Sequence, residues 1–114
     1  MKLNYIADSK ERDEQFLALF SLGIVSALKD NAITCDDAWN WLLNIRTLKM
    51  LEEGKFDRDI AEAIHLGTEL GDVKRIVPGA YINACDEIIT LLKRILKKSA
   101  FSTNKIEYLL ELKN

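Results

Sequence analysis

The longest apolar run in the chain is Phe16 to Leu28, FLALFSLGIVSAL, interrupted only by Ser21, Gly23 and Ser26. A run of this kind leaves water on folding, and it is shorter than the ~18 residues that cross a bilayer. It predicts a buried central helix over about residues 9–29. Asp8 or Ser9 can cap it, and Glu11, Asp13 and Glu14 suit the positive end of a helix. Gly23 in its middle costs about 1 kcal/mol against alanine. The expected reason is close approach of a crossing helix.

The cleanest periodicity lies at 80–98. Tyr81, Ile82, Cys85, Ile88, Ile89, Leu92, Ile95 and Leu96 form an apolar stripe, opposed by Asn83, Asp86, Glu87, Thr90, Lys93, Arg94, Lys97 and Lys98. Such spacing specifies an amphipathic helix. Two further helices fall between. Thr34 and Asp37 form a capping-box-like start for a second helix carrying Ala38, Trp39, Leu42, Leu43, Ile45, Leu48 and Leu51. Its apolar arc is too wide for both Trp39 and Trp41 to be fully buried. Gly54 is the expected left-handed cap. Asp57 begins a third helix, with Ile60, Ala63, Ile64, Gly67 and Leu70 on one face and Gly71 as its terminator. Residues 72–79, ahead of Pro78, are expected to be a loop or single turn, pinned by Val73, Ile76 and Val77.

The ends are less defined. Ile106, Leu109 and Leu110 fit a short helix capped by Asn104, while Ile106, Tyr108, Leu110 and Leu112 equally fit a strand. The helix is narrowly preferred, because a strand would have to find KLNYI at the opposite terminus. The expected fold is all-α: one domain over 1–114, a compact bundle of four to five helices around the central one, with a short terminal strand pair as the variant. Phe16, Leu19, Phe20, Gly23, Ile24, Ala27, Ile64, Cys85, Ile88, Leu92 and Ile95 are the expected core.

Composition refines this picture. At 114 residues, 48% hydrophobic and 30% charged, the chain has the make-up of a globular domain that needs no metal or disulfide staple. The opening MKLNYIADSKERDE turns polar where an export signal needs an apolar region. The expectation is a cytoplasmic protein with Cys35 and Cys85 reduced and buried. The net charge of −2 conceals a dipole. Residues 1–72 hold 14 acids and 8 bases, residues 73–114 hold 4 and 8.

Candidate chemistry is thin. His65 is the only histidine. A Cys–His nucleophile with Cys35 or Cys85 is conceivable, but neither thiol sits in a nucleophile motif, and one histidine with two isolated cysteines gives no metal-ligand spacing. Asp36-Asp37 and Glu52-Glu53 point about 100° apart on a helix, so neither doublet forms a shared acid–base site. No phosphate-binding glycine loop is present. The expectation is no enzyme and no cofactor. Lys93, Arg94, Lys97 and Lys98 lack interleaved aromatics on an acidic domain, which disfavours nucleic acid. Residues 52–72 are more suggestive. Glu52, Glu53, Asp57, Asp59, Glu62, Glu69 and Asp72 face only Lys55 and Arg58, a net of −5. Solubilising charge and helix capping account for such a segment. It also suits an acidic docking surface for a basic partner.

The stretches LFSLGIVSAL, DDAWNWLL and HLGTELGDVKRIVP, within residues 16–78, resemble a family of small bacterial single-domain proteins. Some of these are associated with polymorphic toxin and contact-dependent growth-inhibition loci, where they serve as immunity proteins. The resemblance implies a cytoplasmic protein that binds a delivered toxin domain, for instance a nuclease, and blocks its active site. No binding residue carries over. The expected function is therefore toxin binding through the acidic segment. The variants are an apolar interface anchored by Trp39 or Trp41, and a regulatory or adaptor module using the basic face of helix 80–98.

Overall fold

The clean stripe at 80–98 forms an uninterrupted amphipathic helix of 18 residues. A computed structural model of the chain describes residues 2–5, 9–98 and 110–113. The elements run β1 (Lys2–Tyr5), α1 (Lys10–Lys29), α2 (Cys35–Trp41), α3 (Ile45–Glu53), α4 (Arg58–Thr68), α5 (Leu70–Ile76), a 3₁₀ turn (Pro78–Ala80), α6 (Tyr81–Lys98) and β2 (Leu110–Lys113). The fold is an all-α bundle. α1, α4 and α6 pack on one another and enclose the core, with α2, α3 and α5 around them. Lys29 at the end of α1 pairs with Asp86 near the start of α6 at 2.7 Å, and Asp59 of α4 lies 3.9 Å from Lys98. Both contacts make α6 antiparallel to its neighbours.

α6 buries Tyr81, Cys85, Ile88, Leu92 and Ile95, the spacing of a single helical stripe. α4 contributes Ile60, Ala63, Ile64 and Gly67. The central helix departs from expectation. Only Ala18, Ser21, Ile24, Val25 and Leu28 are buried on α1. Phe16, Phe20 and Ala27 are half-buried, and Leu19 and Gly23 are exposed. A β-carbon built on Gly23 would meet nothing within 4 Å, so no crossing helix explains this glycine. The physical reason is geometric. α6 and α4 cover one side of α1, and the apolar residues on its far side exceed what that contact can bury.

Caps account for most boundaries. The Ser9 hydroxyl accepts the Arg12 amide at 3.1 Å and starts α1. The capping box at α2 is present: Thr34 Oγ1 accepts the Asp37 amide and Asp37 Oδ2 accepts the Thr34 amide, at 3.0 and 2.9 Å. Asp57 caps α4, its Oδ1 accepting from the Asp59 amide at 2.8 Å. The Glu14 carboxylate accepts the Asp57 amide and so ties α1 to the same helix start.

Two expected helices are each divided. Asn44 splits the second: its Oδ1 accepts the Thr47 amide and its Nδ2 donates to the Trp39 carbonyl, at 2.9 and 2.7 Å. The side chain thereby substitutes for the helical ladder and starts α3. Gly54 is right-handed, and the residue with positive φ is Lys55 at 56°. A β-carbon on Gly54 would lie 2.6 Å from the Phe56 ring, so that close approach explains the glycine. The third helix breaks at Glu69, and Gly71 lies inside α5 instead of ending a helix. The Thr68 hydroxyl donates to the His65 carbonyl at 2.6 Å just before that break. Helix thus occupies part of the expected 72–79 loop. Val73 packs on the core, while Ile76 and Val77 are exposed.

At the C-terminal end, residues 110–113 are strand and not helix, pairing antiparallel with β1. Residues 105–109 of that expected element lie outside the described residues. The partner is non-local, which is why local pattern favoured a helix.

Candidate functional site

Trp39 and Trp41 stand two positions apart on α2, about 200° around the helix, so they enter different surfaces. Trp41 is 71% exposed and Trp39 is 43% exposed. The Trp41 indole meets the Phe20 ring edge-on, centroids 6.2 Å apart at 88°. Phe20 in turn stacks obliquely on Phe16 at 5.8 Å. Trp41 and the outer side of α1 enclose an open groove of about 450 Å³, lined by Leu19, Phe20, Gly23, Ile24, Ala27 and Ile33. Leu19 is 50% exposed there. Every lining residue is apolar or glycine. Small residues at 23 and 27 keep the groove floor low, and the rings of Phe20 and Trp41 raise its wall.

Trp39 lines a tighter cleft of about 420 Å³ where α2 meets the α4–α5 junction, with Asp36, Leu43, Thr68, Gly71 and Asp72 around it. Asp72 already bonds Arg75 at 2.9 Å. Asp36 has no ionic partner among the described residues.

The structure divides the acidic segment. Asp57 is committed to its cap, and Asp59 lies near Lys98. Glu69 lies 3.5 Å from the His65 ring, and Asp72 holds Arg75. Glu52, Glu53 and Glu62 are exposed and have no ionic partner among the described residues. Four of the seven residues therefore have a local partner, and three carry a charge that is unopposed among the described residues. On α6, Thr90, Lys93, Arg94, Lys97 and Lys98 border a shallow depression of about 500 Å³, and of these bases only Lys98 has an acidic neighbour among the described residues.

The nucleophile candidates do not meet a base. His65 is exposed and faces Glu69. Cys35 is half-buried, contrary to expectation, with its Sγ 3.8 Å from the Tyr81 hydroxyl, and that hydroxyl lies 3.4 Å from the Leu28 carbonyl oxygen. Cys85 is buried one turn along α6 from Tyr81. Burial pushes both the Cys85 thiol and the Tyr81 phenol above their ordinary values. A buried thiol held protonated is a poor nucleophile. Among the described residues no group of three or more histidine, cysteine, aspartate or glutamate side chains could hold a metal ion, and no helix is long and apolar enough to cross a membrane.

A family profile covers residues 8–111, nearly the whole chain. The chain belongs to the DUF3969 family. That family is described as proteins of unknown function. No curated protein and no solved structure matches the chain. The matched span includes α1 and α2, so the groove lies within the part shared with the family. The sequence signal for the groove is an apolar run too long for one stripe, whose outer residues Leu19, Phe20, Gly23 and Ala27 the expected core includes.

Proposed function

We propose that the chain is a non-catalytic binding protein that seats a protein partner on the Trp41 groove, and that this partner is a basic toxin domain which it neutralises in the cytoplasm as an immunity protein. The observation that supports binding is the groove itself. A contiguous apolar depression with a tryptophan 71% exposed at its rim is the kind of surface that marks a partner site, and tryptophan is enriched among binding hot spots. Identification of the partner rests on the sequence resemblance. Two of the stretches that carry it, LFSLGIVSAL and DDAWNWLL, supply Leu19, Phe20, Gly23, Ile24, Ala27 and Trp41, most of the groove lining. Glu52, Glu53 and Glu62 supply long-range attraction for a basic partner.

The test is protection. If a secreted toxin gene ends just upstream of this one, co-expression with its toxin domain is expected to rescue growth, and failure to rescue would overturn the immunity reading. Trp41→Ala should raise the dissociation rate of the complex about tenfold or more and leave the thermal midpoint of the free protein unchanged. Protection and residence time unaffected by Trp41→Ala would remove the groove from the account. A second reading has one observation in its favour: Lys93, Arg94 and Lys97 are exposed and without acidic partners among the described residues. It makes α6 the contact of a regulatory or adaptor module with an anionic partner, nucleic acid included.

A further inference from the structure

Asp36 and Trp39 stand three positions apart on α2 and so share one side of it. Both line the cleft where α2 meets the α4–α5 junction. The cleft floor is apolar: Leu28, Ala38, Leu43 and Leu70 are each at most 2% exposed. Its volume of about 420 Å³ falls in the range of small-ligand sites. Glycines shape the opposite wall. A β-carbon on Gly67 would press on the Leu43 side chain at 3.1 Å, so this glycine lets Leu43 seat against α4. One on Gly71 would meet only the Cys35 β-carbon, at an ordinary 3.6 Å, so Gly71 leaves room. Cys35, in the same wall, lies 3.8 Å from the Tyr81 hydroxyl, which puts the cleft where α6 starts. The chain enters the bundle at Lys10 and leaves it at Lys98, both at the other end, about 25 Å away along α6.

The oxygens at the cleft mouth are acceptors. Asp36 and Asp72 are carboxylates, and Thr68 gives its proton to the His65 carbonyl at 2.6 Å, which leaves its hydroxyl oxygen only to accept. The nearby bases are engaged. Arg75 donates to Asp72 at 2.9 Å, and Lys74 donates to Asn31 at 3.2 Å while lying 5.0 Å over the Tyr81 ring. Asp36 stays unopposed among the described residues, beside an indole that is 43% exposed. An apolar floor, an aromatic rim and an open carboxylate together select a ligand with a hydrocarbon stem and a cationic head. We infer that the cleft binds an alkylguanidinium group, as an arginine side chain or as a free small molecule of that kind. The planar head stacks on Trp39 and forks onto Asp36, and the methylenes cover the floor at Leu43 and Leu70. An alkylammonium is a point charge and gains neither the stacking nor the fork. The site is separate from the Trp41 groove, so it stands or falls without the partner placed there.

The probe is butylguanidinium, with butylammonium, equal in charge and stem, as its control. Trp39 and Trp41 each give one indole N–H resonance in isotope-labelled protein, and Trp41→Phe assigns them. Butylguanidinium is expected to shift the Trp39 signal saturably, with a dissociation constant of about 1–10 mM as so small a ligand allows, and to leave Trp41 in place. Butylammonium should bind about tenfold less tightly. Asp36→Asn should weaken butylguanidinium about tenfold, and Gly71→Leu, which fills the cleft, should abolish the shift. Helical circular dichroism checks the fold of each variant. Asp36 is exposed and is not the cap of α2, so its variant decides the matter even if Gly71→Leu fails to fold. Nα-acetyl-arginine methylamide binding more tightly than butylguanidinium assigns the site to an arginine of a protein, and the opposite order assigns it to a free alkylguanidine. No saturable shift at Trp39 overturns the inference. Equal shifts at both tryptophans, equal affinity for butylammonium, or indifference to Asp36→Asn overturns it too.

Discussion

α1 and α6 are nearly equal in length, 20 and 18 residues, and pack antiparallel, yet they place their apolar residues differently. α6 carries one stripe and buries its centre: Tyr81, Cys85, Ile88, Leu92 and Ile95 face inward, Ile89 and Leu96 are half-buried at its margin, Ile82 is exposed, and its lysines and arginine face water. α1 is apolar on more than one side. Its buried side is built largely of small or mid-sized residues, Ala18, Ser21, Ile24, Val25 and Leu28, and its outer side keeps Leu19 and Phe20 beside the Trp41 groove. A helix with a single clean stripe needs only the core to explain it. A helix with apolar residues left over after the core is filled has a second contact to make.

The largest expected effect tests the core side of this contrast. Leu92→Ala on α6, at a position with no exposure, should destabilise by about 2–5 kcal/mol through lost burial and a residual cavity. The same change at Leu19 on α1 should stay within about 0.5 kcal/mol. Chemical denaturation of the two variants side by side decides the matter. Equal losses would mean that the outer side of α1 is core after all, and the groove would lose its meaning.

Gly23 gives the next effect, with opposite sign. It is exposed, mid-helix, and a β-carbon there has open space around it. Gly23→Ala should therefore stabilise by about 0.5–1 kcal/mol, because alanine loses less backbone entropy on entering a helix. In thermal unfolding the midpoint should rise by a few degrees. Gly23→Leu should also be tolerated by the fold, yet it fills the groove and should weaken partner binding. A fall in thermal midpoint for either variant would restore a crossing helix at this glycine.

These contrasts also show where the sequence was legible. The helical period of α6, the Thr34–Asp37 capping box and the Ser9 and Asp57 caps are local devices, readable from residues two to four apart, and each appears as expected, except that Ile82 of the α6 stripe is exposed. The break at Asn44 was not legible, because Asn44 acts through two hydrogen bonds that hydrophobic spacing does not register. Gly71 looked like a stop signal, but α5 continues through it. β2 depends on Lys2–Tyr5 at the other end of the chain, a pairing that local pattern cannot reveal. The acidic segment was legible as charge but not as geometry. Four of its seven residues already cap a helix or have a basic neighbour.

That division sets the smallest and most selective prediction. Reversing Glu52, Glu53 and Glu62 to lysine should slow association with a basic partner several-fold and flatten its salt dependence, with little change in dissociation, since exposed charges act mainly on encounter. Asp57 and Asp59 are left out on purpose. Losing the Asp57 cap costs about 1 kcal/mol of helix stability, and Asp59 lies beside Lys98, so reversal there would mix a folding effect with a binding one. The control reverses Lys93, Arg94 and Lys97 to glutamate on the cleanly striped helix. It removes the same number of exposed charges and should leave association intact or slightly faster. Stopped-flow rates at two salt concentrations separate the cases. If association falls only in the α6 variant, the partner is anionic, and the helix explained here by the core alone has a second contact of its own.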